Sequence, residues 1–120
     1  MVYKPTLDNI IGHHARKAAQ IMEERGWTRG MEERSATGEV CLTGAFRRAV
    51  KPMGAVGGDL VDRFNRRFGA WMQLHYPAPP AQTLAHCPLA ATSWNDNVFQ
   101  SKEETLAWLD KFADDLDPQR

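Results

Sequence analysis

Between Leu7 and Met22 the apolar residues Leu7, Ile11, Ala15, Ala18 and Met22 recur at steps of three and four, which sets them on one stripe of an α-helix. Thr6, just after Pro5, can cap that helix, and Gly26 can take the left-handed conformation that ends one. Trp27 stands where a hydrophobic residue folds back on the last turn, so it is expected to anchor that end in the core. The pattern then breaks. Gly30 and Gly38 punctuate the next segment, Ser35-Ala36-Thr37-Gly38 has turn composition, and Glu39-Val40-Cys41-Leu42 has modest strand character. A small β-hairpin from about Met31 to Leu42 is predicted, packed on the helices because two strands alone are marginal in water.

A short second helix follows, with Thr43 as its expected cap, Phe46 and Val50 four apart, and Pro52 and Gly54 as its stop. A third helix carries Leu60, Phe64, Phe68, Trp71 and Met72 or His75 on one face and Arg63, Arg66 and Arg67 on another, with Asp59 placed as a helix-start acid. Four of the seven prolines then fall in "YPAPPAQTLAHCPLAATS", which must leave that helix extended. Leu84 and Leu89 allow a helical turn or two, interrupted at Pro88. The last helix has the best start signal: Ser101 and Glu104 form an S-x-x-E capping box, and Leu106, Leu109, Phe112 and Ala113 supply its inner face. Asp114, Asp115 and Asp117 oppose its dipole, so its end is expected to fray.

These elements describe a mainly α (α+β) protein: about four helices packed as one compact domain over residues 1–120, with a small β-hairpin after the first helix. Composition agrees, with 42% hydrophobic and 25% charged residues over 120 positions. No run approaches the ~20 apolar residues of a membrane span, and the N-terminus lacks a signal-peptide core. Cys41 and Cys87 share no metal or redox spacing and are expected to be free thiols in a cytoplasm. The zero net charge hides a split: twelve Lys/Arg against eight Asp/Glu up to His75, then three against seven. Such a chain has no overall field for nucleic acid, yet the asymmetry can steer a protein partner or a second copy.

Candidate chemistry is thin. His13 and His14 are neighbours and point about 100° apart on a helix, no H-x-x-x-H occurs, and His86-Cys87 adjoin a proline, so no metal or cofactor is expected. "GAVGGD" lacks the lysine of a phosphate loop. Cys41 precedes a helix start, where amides and dipole lower a thiol pKa; as a nucleophile it would need His75 or His86 with Asn95 or Asp96. Against that stands a small buried cysteine at a corner of the fold. Arg47, Arg48, Lys51, Arg63, Arg66 and Arg67 fall on two neighbouring helices; they make either a solvated face partly paired with the acidic tail, a surface for an acidic protein partner, or a phosphate-binding patch. Trp94-Asn95-Asp96 reads as a hinge, the indole plugging the core between the first and last helices while Asn95 and Asp96 bond nearby backbone amides. Catalysis by Asp96 would need a raised pKa and a partner that the pattern does not supply.

"IMEERGWTRG", "GEVCLTGAFRRA", "SWND" and "SKEETLAWLDKFA", in that order, resemble a family of uncharacterised small proteins of actinobacteria and their phages. The shared positions are Gly26, Trp27, Cys41, Leu42, Gly44, Ala45, Trp94, Asn95 and Asp96, with Glu104 answering to a helix-start acid, over about residues 7 to 113. Ser101-Lys102 departs from the family's Arg-Thr, and the stretch between Val50 and Ala91 is individual to this chain. The resemblance implies a shared fold, and it implies no activity. The expectation is therefore a non-enzymatic helical interaction protein, phage accessory in character, acting on a host protein or on itself. A small hydrolase or transferase using Cys41 is the first alternative, and a nucleic-acid-binding module the second.

Overall fold

The first helix starts as its sequence says it should. In the computed structural model, which describes residues 4–77 and 90–118, the Asn9 amide donates to Thr6 Oγ1 (3.0 Å) and the Thr6 amide donates back to Asn9 Oδ1 (2.9 Å). Helix α1 runs from that cap over Leu7–Arg25 and buries Ile11, Ala15, Ala18 and Met22. Next come α2 (Leu42–Val50), one 3-10 turn (Lys51–Met53), α3 (Ala55–His75), α4 (Ala91–Asn97) and α5 (Lys102–Leu116). Helix α1 packs on α5 and α2, while α3 packs on α2 and α4. The radius of gyration, 13.7 Å, is close to the ~13.6 Å of a compact chain this long.

One aromatic cluster occupies the middle. Phe46 of α2 stacks on Phe64 of α3 with ring centres 4.3 Å apart, and Phe112 of α5 meets Phe64 and Phe68 edge-on at 5.8 and 5.1 Å. All four rings are fully buried, each contributing roughly 1.5–3 kcal/mol of burial.

The predicted hairpin does not form. Among the described residues there are five α-helices rather than the expected four, the added one being α4 in place of the expected hinge, and there is no strand. Residues 26–41 are a loop with two isolated bridges, Trp27 with Val40 and Glu33 with Val40. Val40 is thus bracketed by backbone on both sides, but neither pairing extends to a second residue. Gly26, Gly30 and Gly38, with φ of 92°, 78° and 83°, turn the chain before a ladder can propagate.

Other boundaries shift for local reasons. Thr43 lies inside α2, donating from Oγ1 to Asn65 Oδ1 (2.7 Å), and the cap is Cys41, whose Sγ accepts from the Gly44 amide at 3.4 Å. Helix α3 begins four residues before Asp59, which pairs along the helix with Arg63 at 2.8 Å. At α5 the Glu104 amide bonds Ser101 Oγ (3.0 Å), while the Glu104 carboxylate accepts from the amide of Gln100 (2.7 Å), one residue outside the expected box. The acidic end of α5 is held and does not fray. Arg16 reaches it from α1, bonding Asp117 (3.1 Å) and Asp114 (3.2 Å) and supplying positive charge where the dipole is negative; Trp71 Nε1 donates to Asp115 (2.7 Å). His86, Cys87, Leu84, Pro88 and Leu89 lie outside the described residues.

Candidate functional site

Trp94-Asn95-Asp96 are helical, not a turn, and each faces a different task. Trp94 is fully buried, its ring 5.3 Å from Tyr76 and 6.4 Å from Phe99, under α4 where that helix lies on α3 and α2. It does not sit between the first and last helices as expected. Helix α4 packs on α3 and α2, and α1 and α5 close on one another directly.

Asn95 is also fully buried, and its amide ties distant parts of the chain. Oδ1 accepts from Trp27 Nε1 (2.8 Å) and from the Leu42 amide (3.1 Å); Nδ2 donates to the Thr28 carbonyl (3.0 Å) and to Asp96 Oδ1 (2.9 Å). Asp96 Oδ1 in turn accepts from the Gly30 amide at 3.0 Å. Arg29 donates to the Phe99 carbonyl and lies over the Trp27 ring, 5.4 Å from its centre. Apart from the Asn95–Asp96 contact within α4, these bonds tie the 26–41 loop to α4 and to Phe99 just beyond it, and the first amide of α2 to α4, replacing the local backbone bonds expected of the pair. Thr28 and Arg29 carried no periodic signal in the sequence.

Gly44 completes the knot. A β-carbon there would stand 1.9 Å from the Glu32 carbonyl oxygen, so the loop backbone can touch α2 only at a residue without one. That same Glu32 carbonyl accepts from the Cys41 amide (3.0 Å).

Cys41 is buried within this contact, 2% exposed. Burial pushes its thiol pKa up, opposed by bonds from the Gly44 and Thr43 amides, and nearby Asp96 and Glu32 push it further up. The lowered pKa of a nucleophile is not produced. His75 stacks on Trp71 at the far end of α3 (4.3 Å) and makes no bond to the thiol. With Cys87 replaced by serine, native Cys41 is expected to react with a thiol reagent at pH 8 at least ~100-fold more slowly than in denaturant. Equal rates, followed by absorbance, would contradict a buried protonated thiol.

The arginines divide into two sets. Arg47 and Arg48 turn toward the loop and form two-bond pairs with Glu32 (2.7 and 3.2 Å) and Glu33 (2.6 and 2.8 Å) beside a groove of about 450 Å³ that Lys51 also lines. The Arg48 guanidinium holds the Glu33 carboxyl below its usual range. Arg63, Arg66 and Arg67 line a different, shallow groove of about 390 Å³ between α3 and the first turns of α1. Arg67 pairs with Asp8 through two 3.2 Å bonds and Arg63 with Asp59, whereas Arg66 has no carboxylate partner among the described residues. None of these five pairs with the acidic tail, which Arg16 takes.

No group of His, Cys, Asp or Glu among the described residues is placed to hold a metal ion, and none of their helices is long and apolar enough to cross a membrane. A helical globule pinned by a buried Asn95 knot, with its thiol closed in and two arginine grooves on its surface, is what the chain presents. The chain belongs to a family of unknown function, DUF6197, whose model matches residues 8–115. No curated protein and no solved structure matches it.

Proposed function

We propose that this is a non-enzymatic interaction protein whose working surface is the outer face of α3, and that it meets an acidic surface of another protein there. The observation that carries the reading is Arg66, exposed and without a carboxylate partner among the described residues, between Arg63 and Arg67. Leu7, Ala70 and Asp8 share that groove, and Leu74, one turn beyond Ala70, is 82% exposed. Guanidiniums beside apolar side chains suit a carboxylate-bearing protein surface, since arginine binds carboxylates through a planar fork and leucine adds area. The closed-in Cys41 supports a structural rather than a nucleophilic role for that residue. On this reading the setting is the cytoplasm of an actinobacterium or of one infected by a phage, with a host protein or a second copy of this chain as partner.

Fluorescence anisotropy with labelled poly-glutamate tests it. At about 0.15 M salt, binding by the intact chain is expected to weaken about tenfold with Arg66→Glu, a loss of ~1.4 kcal/mol. Tighter binding to a generic DNA duplex than to poly-glutamate would overturn the reading.

A further inference from the structure

We infer that the acidic surface is carried by a second copy of this chain, joined head to tail; this rests on the interaction reading above and names its partner. A second shallow groove, of about 550 Å³, runs between the later turns of α1 and α5. Glu23, Glu24 and Asp110 line it beside the apolar Ala19 and Leu106, together with Arg16. Most of the lining charges are already paired: Glu23 with Lys102 (3.6 Å) and Arg16 with Asp114 and Asp117 here, Arg63 with Asp59 and Arg67 with Asp8 in the other groove. Glu24 is exposed and has no cationic partner among the described residues, as Arg66 has no anionic one. Each groove therefore holds an uncompensated charge of the sign the other needs, next to apolar side chains.

Helix α1 strengthens both ends of this arrangement. The basic groove takes in its first turns, Leu7 and Asp8, and the acidic groove its last, Glu23 and Glu24. The helix dipole adds positive potential to the first and negative potential to the second. At ~100° per residue, Leu7 and Ile11 lie on one side of α1 and Gln20 and Glu24 largely on the other. A copy can thus offer its acidic groove to one neighbour and its basic groove to the next. Because the two grooves differ, the contact is heterologous, and a pair leaves one groove of each kind open for further copies. Exposed charges carry much of the attraction, so it should fade as the screening length falls from ~10 Å near 0.1 M salt to ~3 Å near 1 M.

Sedimentation velocity of the full chain tests this. Species heavier than the monomer are expected to grow with protein concentration at about 0.05 M salt and to vanish at about 1 M. Arg66→Glu and Glu24→Lys both change exposed side chains, so both should keep the parent circular dichroism. Each alone should lose at least tenfold in self-association. Mixed one to one they should associate again, because Arg66→Glu keeps a working acidic groove and Glu24→Lys a working basic one. A parent that stays monomeric at low salt, or a mixture that does not pair, overturns the inference. If poly-glutamate still binds through Arg66 in that case, the second copy is the wrong partner and the interaction reading stands; if it does not, both fall.

Discussion

Replacing Asn95 with leucine is expected to lower the unfolding free energy by about 3 to 5 kcal/mol. The new side chain is close in size, so the loss comes from bonding rather than volume. It strips partners from the Leu42 amide and the Thr28 carbonyl, both tied to Asn95 in the interior, and from the partly buried Trp27 indole. Each buried polar group left without a partner costs about 1 to 3 kcal/mol, and the indole recovers part of its share from water. Urea unfolding of parent and variant measures the difference; a loss below about 1 kcal/mol would mean the knot contributes little net stability. Asn95→Asp sharpens the test through pH. An added carboxylate would face the Thr28 carbonyl and the Asp96 carboxylate, where its charged form is disfavoured and its folded pKa lies above the ~3.9 of an unfolded aspartate. The folded state then binds more protons than the unfolded state between those two pKa values. The variant's deficit should be smallest below pH ~4 and should grow as pH rises through the folded pKa.

Trp94→Ala should cost roughly 3 to 5 kcal/mol, a large share of the ~5 to 15 available to a domain of this size. The indole is 0% exposed and is the largest of the fully buried side chains, so alanine leaves a cavity against Tyr76 and Phe99. Thermal melting followed by circular dichroism should show a steep fall in midpoint, with Trp94→Phe between parent and alanine. A Trp94→Ala variant that melts like the parent would show that α4 repacks without its indole. The two substitutions probe different forces within one helix turn: Trp94 fills volume, and Asn95 satisfies backbone.

The helices were legible because their signals are local. The 3- and 4-residue apolar spacing of Leu7 to Met22 and of Leu60 to Met72 needs only a periodic core face. Thr6 and Ser101 act within a few residues of themselves, so each caps its helix as expected, and Gly26 still ends α1 at positive φ, with an extended ψ of 173°. The loop between α1 and α2 was read as a hairpin because Glu39 to Leu42 carries strand-like residues. What holds that loop is not a ladder. It is Asn95, 53 to 68 positions away from its partners at Leu42, Thr28 and Trp27.

By itself, then, the order of residues determined that this protein is mainly helical, where α1, α2, α3 and α5 run, and that Trp94 belongs inside. Helix periodicity, caps and hydrophobicity act over one or two turns, and a sequence displays that range directly. Only the tertiary structure decided that Asn95 is a buried crosslink, that Gly44 is where the loop backbone touches α2, and that Cys41 is a cap with a raised pKa. It also decided that Arg47 and Arg48 are clamped by Glu32 and Glu33 while Arg66 is left open. A buried amide, a backbone contact and an ion pair each depend on which groups meet after the chain has closed on itself, and no spacing along the chain records that meeting.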